Sequence, residues 1–186
     1  MSHLRPGEQL VGAYLDVVEE CDLVSYNQRS REQGTQFELD VLGVHSTDDA
    51  QTVFAAEVVT HLDGSLYGGT PSSERWTEFG GQAYQASLDK IWEKFERVDD
   101  YLCTVFDDAS GYRLQLWAPK VSEGYLTDGL AKLASEFEDE YGREIELIVN
   151  DEYSDRIETL ETKAAATTKD FGQPAFRYLQ ILNNLQ

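Results

Sequence analysis

The sequence predicts an α/β fold, a mixed central sheet flanked by helices, and three observations lead to it. Apolar residues recur at helical spacing over Pro6 to Glu20 and again over Gln82 to Phe106. Between these stretches, Glu38-Leu39-Asp40-Val41-Leu42-Gly43-Val44 and Val53-Phe54-Ala55-Ala56-Glu57-Val58-Val59-Thr60 are rich in β-branched and apolar residues and read as strands. Beyond the second helix, strand and helix patterns alternate. The order is α-β-β-β-α-β, then α-β-α-α, and a β-meander leading into a helix and a further strand gives a mixed sheet covered on both faces. At 186 residues the chain is the size of one domain. We read 1–186 as that domain, with a core over 5–120 and a helix-strand-helix extension over 121–186.

Each element has a local reason. Pro6 suits the first turn of the opening helix, where Glu8 also benefits from the helix dipole. Leu23 to Asn27 is a short strand, and Gln28 to Gln36 is a polar loop holding Arg29, Arg31 and Gly34. His45 to Gln51 is a turn-forming linker that makes the next two strands a hairpin. Asp63 to Gly81 is long and glycine-rich, the kind of loop that carries function, and it contains Tyr67, Arg75 and Trp76. Tyr112 to Pro119 alternates polar and apolar residues, a strand with one face more exposed. A helix follows from Thr127 to Tyr141 with Gly142 as its stop. Ile145 to Val149 is the last strand. Asp151 or Ser154 caps a helix running to Lys169, and Ala175 to Leu182 forms a final short helix. The extension either completes the sheet or forms a dimer surface, so a homodimer is one arrangement open to the chain.

Charge is the outlier in the composition. Lys and Arg number 15 against 35 Asp and Glu, a net charge of −20. The acids are scattered rather than blocked, which favours a halophile-like adaptation, with salt screening the self-repulsion, over a basic partner. At molar salt the Debye length is about 3 Å, so this charge does not exclude a nucleic-acid partner. Cys21 and Cys103 show neither a metal-ligand spacing nor a disulfide framework and read as small buried hydrophobes. No apolar run approaches the roughly 20 residues of a membrane span and no signal peptide is evident. The expectation is a cytoplasmic protein with no membrane partner.

Asp40 and Glu57 each interrupt an apolar strand. A carboxylate buried there is costly unless something positive neutralises it, and two on adjacent strands point to a bound cation. Simpler readings stand beside this one. Glu8 is a first-turn acid, Glu57 pairs with Arg29 or Arg31, and His61 is a strand-end histidine. Tyr26, Tyr67, Trp76 and Trp117 are core or rim aromatics. Arg29, Arg31 and Arg75, in loops flanking the carboxylates, are candidate phosphate contacts.

An acid in the first helix, a lone Asp in the second strand and an acid in the third, set in an α-β-β-β-α-β order, resemble the PD-(D/E)XK nuclease superfamily. Restriction endonucleases, archaeal Holliday-junction resolvases and Mrr-type enzymes belong to it. Phe37-Glu38-Leu39-Asp40-Val41-Leu42-Gly43 is similar to the E(L/I)DV(V/I)(G/A) segment of the resolvase and Mrr-like branches, and Glu57-Val58-Val59 falls where their third-strand ExK falls. The resemblance covers residues 5–120. It implies a restriction-endonuclease-like fold and metal-dependent hydrolysis of phosphodiester bonds, with DNA ahead of RNA as the substrate. Glu8, Asp40 and Glu57 would hold one or two Mg²⁺ or Mn²⁺ ions, with the carbonyl of Val58 completing the set. Val59 stands where the family has its lysine. Three expectations follow from that departure. Lys90 or Lys94 of the next helix supplies the cation, or Gln82 or Gln85 orients the water. Otherwise catalysis is lost, leaving an inactive nuclease-fold domain that binds nucleic acid or a protein partner.

Overall fold

The computed structural model describes residues 4–30, 37–60, 62 and 70–185. Helix α1 (Pro6–Val17) precedes three strands, β1 (Leu23–Ser30), β2 (Phe37–Ser46) and β3 (Gln51–Val58), which form an antiparallel meander. Helix α2 (Gln82–Val105) carries the chain back, so that β4 (Gly111–Ala118) runs parallel to β3. Helix α3 (Tyr125–Tyr141) repeats the move for β5 (Ile145–Val149), and α4 (Asp151–Ala166) and α5 (Pro174–Asn183) follow. The sheet is mixed and open, ordered β1-β2-β3-β4-β5.

Both β-α-β crossovers advance the sheet in the same direction. Right-handed connections then leave α2 and α3 on the same face. There Leu88, Phe95, Leu133 and Phe137 pack on Leu39, Leu42, Ala55 and Leu116. On the other face α1, α4 and α5 bring Val11, Leu15, Leu160 and Phe176 against Val41, Phe54, Ala56 and Trp117.

Several boundaries differ from the sequence reading. Helix α1 stops at Val17, not Glu20, and Glu20 adopts a positive φ of 56°. Strand β1 runs on through Ser30, so Arg29 lies in a strand paired with Glu38 rather than in a loop. The β2–β3 turn is confined to Thr47–Ala50, closed by a bond from Thr47 N to Ala50 O (2.8 Å). Strand β3 ends at Val58, which leaves Thr60 beyond it. Helix α3 begins at Tyr125, and α4 ends at Ala166 rather than Lys169. Asn150, not Asp151 or Ser154, precedes α4. Its side chain bonds both backbone groups of Val121 (2.8 and 3.2 Å).

Strand β4 has no exposed face over its second half. It lies between β3 and β5, and Gln115 is fully buried, its amide satisfied by Glu146 (2.7 Å) and Trp117 Nε1 (3.0 Å). Of the cysteines, Cys21 is buried as expected and Cys103 is exposed. Residues Arg31, His61 and Tyr67 lie outside the described residues.

Two features invite tests. Gly12 of α1 faces the ring of Tyr26, and a Cβ there would stand 2.1 Å from the Tyr26 hydroxyl, which donates to Gln173 (2.7 Å). Gly12→Ala therefore forces the ring away and is expected to cost about 1–3 kcal/mol in chemical denaturation. Separately, Asp89 of α2 fastens the segment before that helix. It accepts bonds from the backbone N–H of Ser72 (2.6 Å) and Ser73 (3.1 Å) and from both hydroxyls (3.1 and 2.7 Å). Burial pushes the Asp89 carboxyl up, but these four donors outweigh it and hold it below its ordinary 3.8. The unfolded chain thus takes up the proton first as the pH drops. Stabilisation by Asp89 is full above pH 3.8 and fades as the pH falls through the lower folded value. The stability difference between wild type and Asp89→Ala is expected to be about 2 kcal/mol at neutral pH and to shrink below pH 3.8 in paired denaturation curves.

Candidate active site

The candidate site forms where β2 and β3 part. Their ladder ends at Val41↔Ala56. The next inward-facing N–H of β3, that of Val58, donates instead to the side chain of Asp40 (Oδ2, 2.9 Å). The same place interrupts the β1–β2 ladder. Pairing steps from Tyr26↔Val41 to Gln28↔Leu39, skipping Asn27, whose φ is 53°. Side-chain alternation along β2 breaks there as well. Leu39 and Leu42 both pack on the α2/α3 face, while Val41 packs on the other. An irregular backbone thus sets Asp40 between two diverging strands.

Asp40 is 8% exposed and Glu57 2%. Both meet one ammonium, that of Lys94 from α2, at 3.5 Å for Asp40 Oδ2 and in direct contact for Glu57 Oε2. Burial pushes the Lys94 ammonium below the ordinary lysine value, against the pull of Asp40. Among the described residues, Glu57 Oε1 is buried with no hydrogen-bond partner.

Glu8, also 2% exposed, reaches the end of this region from α1. It accepts from the backbone N–H of Arg5 (3.0 Å) and from Asn27 Nδ2 (3.3 Å), so this first-turn acid also caps the start of α1. Gly7 seats the start of α1 against β3, since a Cβ there would lie 3.2 Å from Val58 Cγ1. Among the described residues, no three His, Cys, Asp or Glu side chains stand close enough to hold one metal ion. Asp40 and Glu57 converge on a single cation; Glu8 is tied to Arg5 and Asn27.

The other expected residues sort clearly. Lys90 does not touch the carboxylates; it pairs with Glu93 (3.1 Å), one turn before Lys94. Gln82 is exposed at the first residue of α2, about 18 Å of helix before Lys94. Gln85 is engaged with the carbonyls of Thr77 and Gly80 (3.3 and 2.8 Å). Val58 contributes its N–H to Asp40. Val59 is buried in the α2/α3 core. Glu57 pairs with Lys94 rather than with Arg29, which bonds Glu38 (2.6 Å). Arg75 is engaged within the fold: it pairs with Glu136 and Glu140 of α3 and lies 4.0 Å over the Trp92 ring. Trp76 and Trp117 are fully buried core residues.

A cleft of about 420 Å³ opens beside the carboxylates, and Asp40, Arg5, Lys90, Lys94 and Arg97 help line it. Arg5 and Arg97 escaped the sequence reading. Lys90, Lys94 and Arg97 stand at i, i+4 and i+7, one stripe of α2, a signal that a solvated helix face conceals. Comparison with protein-family models, curated proteins and solved structures finds no match to this chain.

Losing Lys94 leaves two buried carboxylates uncompensated. Lys94→Ala is expected to cost about 2–3 kcal/mol, discounted from the value for a fully buried pair because Lys94 is one-third exposed. Lys90→Ala is expected to stay within about 0.5 kcal/mol. Urea denaturation of the two variants separates them.

Proposed function

We propose that this chain is a metal-dependent nuclease of the restriction-endonuclease-like kind, hydrolysing phosphodiester bonds of DNA or RNA. The single observation that carries the reading is the meeting of Asp40, Glu57 and Lys94 at the parting of β2 and β3. That set is a D…E…K constellation with its lysine drawn from α2 instead of position 59. The α-β-β-β-α-β order and the mixed sheet support it. So does the cleft, which sets four of the chain's 15 Lys and Arg against three acids, Glu38, Asp40 and Glu93, in a protein whose net charge is −20.

The residues fit a hard divalent ion. The donors are all oxygen, and among the described residues Glu57 Oε1 is a buried acceptor without a hydrogen-bond partner. Mg²⁺ commonly takes one or two carboxylates and keeps its waters. Asp40 and Glu57 would hold it, with Glu8 at the neighbouring helix end. Such an ion, when bound, polarises the phosphoryl oxygen and lowers the pKa of a bound water. The protein's own contribution is placement. The Val58 N–H fixes the rotamer of Asp40. Lys94 sets an ammonium beside the reacting phosphate, where it offsets charge developing on the equatorial oxygens. Arg5, Lys90 and Arg97 hold flanking phosphates.

The contact of Lys94 with both acids also favours a second reading, an inactive nuclease fold in which lysine has replaced the metal as the neutralising charge. Incubation with plasmid and single-stranded DNA, with Mg²⁺ or Mn²⁺ in molar KCl, separates the two. Wild type is expected to cleave. Asp40→Ala and Lys94→Ala are expected to lose roughly 10²–10³-fold, the scale of one electrostatic stabiliser, while Lys90→Ala keeps most of the rate. Mn²⁺ is also expected to raise the melting temperature of wild type and not that of Asp40→Ala. Cleavage that survives Asp40→Ala overturns the assignment, and binding without turnover under either metal selects the inactive fold.

A further inference from the structure

A second cavity shares Arg5 with the cleft. It measures about 260 Å³, and its walls include Leu10, Val58, Pro119 and the ring of Tyr153, with Glu8 and Thr60 also lining it. Arg5 borders both cavities. This arginine is therefore shared by a polar cleft, lined with cations and with Glu38, Asp40 and Glu93, and by a mostly apolar cavity with an aromatic wall. Tyr153 is half-buried and braced by an edge contact with Trp117 (centroids 5.9 Å apart, planes at 82°). A braced ring loses little freedom when something packs on it.

We infer that this apolar cavity receives an unstacked nucleobase of the strand whose phosphate lies over Asp40 and Glu57, so that the favoured substrate is single-stranded rather than duplex. The inference rests on the nuclease reading above and specifies its substrate. Polyanion and planar apolar ring meeting at one arginine is the chemistry of a nucleotide: phosphate contacts position the strand, and an aromatic side chain accepts the base whatever its identity. A base can enter a side pocket only when it is neither paired nor stacked between neighbours. A duplex would have to unstack it first, and a single strand offers it at little cost.

The test uses the full chain without added metal, so that nothing is cleaved. Fluorescence anisotropy follows binding of a short labelled DNA strand and of its blunt duplex. The single strand is expected to bind about tenfold more tightly, the low end of what one stacked base contributes. Tyr153→Ala removes the aromatic wall, and Thr60→Trp fills the cavity from its exposed rim without touching the core. Each is expected to bring the two affinities within about twofold. A preference that persists in both variants, or a wild type that binds duplex as tightly as strand, overturns the base pocket. If the preference is present and lost in both variants, yet Mn²⁺ gives no cleavage, the pocket stands and the nuclease reading falls. Failure of wild type to bind either DNA overturns both.

Discussion

One ammonium group holds together the least favourable part of this molecule. Asp40 and Glu57 are placed by strand geometry in a region nearly closed to water, where a carboxylate loses its hydration and gains little else. Lys94 stands against both. It comes from the middle of α2, and the position of that helix is fixed by Leu88, Ile91 and Phe95 on the same face of the sheet. The hydrophobic core thus supplies the geometry, and the geometry brings the charge. Helix α2 is also held at its start by Asp89, through Ser72 and Ser73. A shift of the helix by even one turn would bring Lys90 or Val98 opposite the acids in place of Lys94.

The splaying of β2 from β3 is the other half of this arrangement. Strands that stayed paired to their ends would use the Val58 N–H in the ladder and bury Asp40 against backbone with nothing to accept from. Here the ladder stops at Val41 and Ala56, and a carboxylate replaces a carbonyl as the acceptor. That exchange satisfies the backbone donor and fixes the side chain with one bond. It also opens space between the strand ends, bordered by the first turn of α1, where Gly7 allows the close approach to Val58.

This division between core and site explains what the sequence could disclose. The elements were legible because helical and strand periodicities are local, whereas the pairing of β5 with β4 was only one of two arrangements left open for the extension. Asp40 and Glu57 were legible as anomalies, acids inside apolar runs. The break at Asn27 and Asp40 was not, since it inverts the side-chain alternation of β2 without leaving a glycine or proline to mark it. Lys94 was legible only as one of two choices. Lys90 and Lys94 sit a single turn apart on the same stripe, and which one faces the acids depends on how α2 is rotated and advanced over the sheet. The polar–apolar alternation of β4 misled because Gln115 pairs with Glu146 and Trp117 inside the protein instead of facing water. Such a pairing is invisible until β5 is in place.

The acidic composition and the proposed site for a polyanion conflict only if charge is averaged over the surface. Among the described residues, most cations outside the cleft act as fasteners between elements. Arg156 pairs with Glu19, Glu146 and Glu152, Arg75 with Glu136 and Glu140, and Lys132 with Glu78 and Glu136, so each of them meets more than one acid. At the cleft Lys94 likewise meets two acids, but its neighbours have fewer. Lys90 and Arg97 share the single Glu93, and Arg5 meets Glu8 only at 3.8 Å, with most of its side chain in solvent. The cleft thus sets four cations against the three acids that line it, Glu38, Asp40 and Glu93, a far more even balance than the chain as a whole. In concentrated salt, where fields decay within a few ångströms, the charges lining the cleft would outweigh the remote acids in the field felt there.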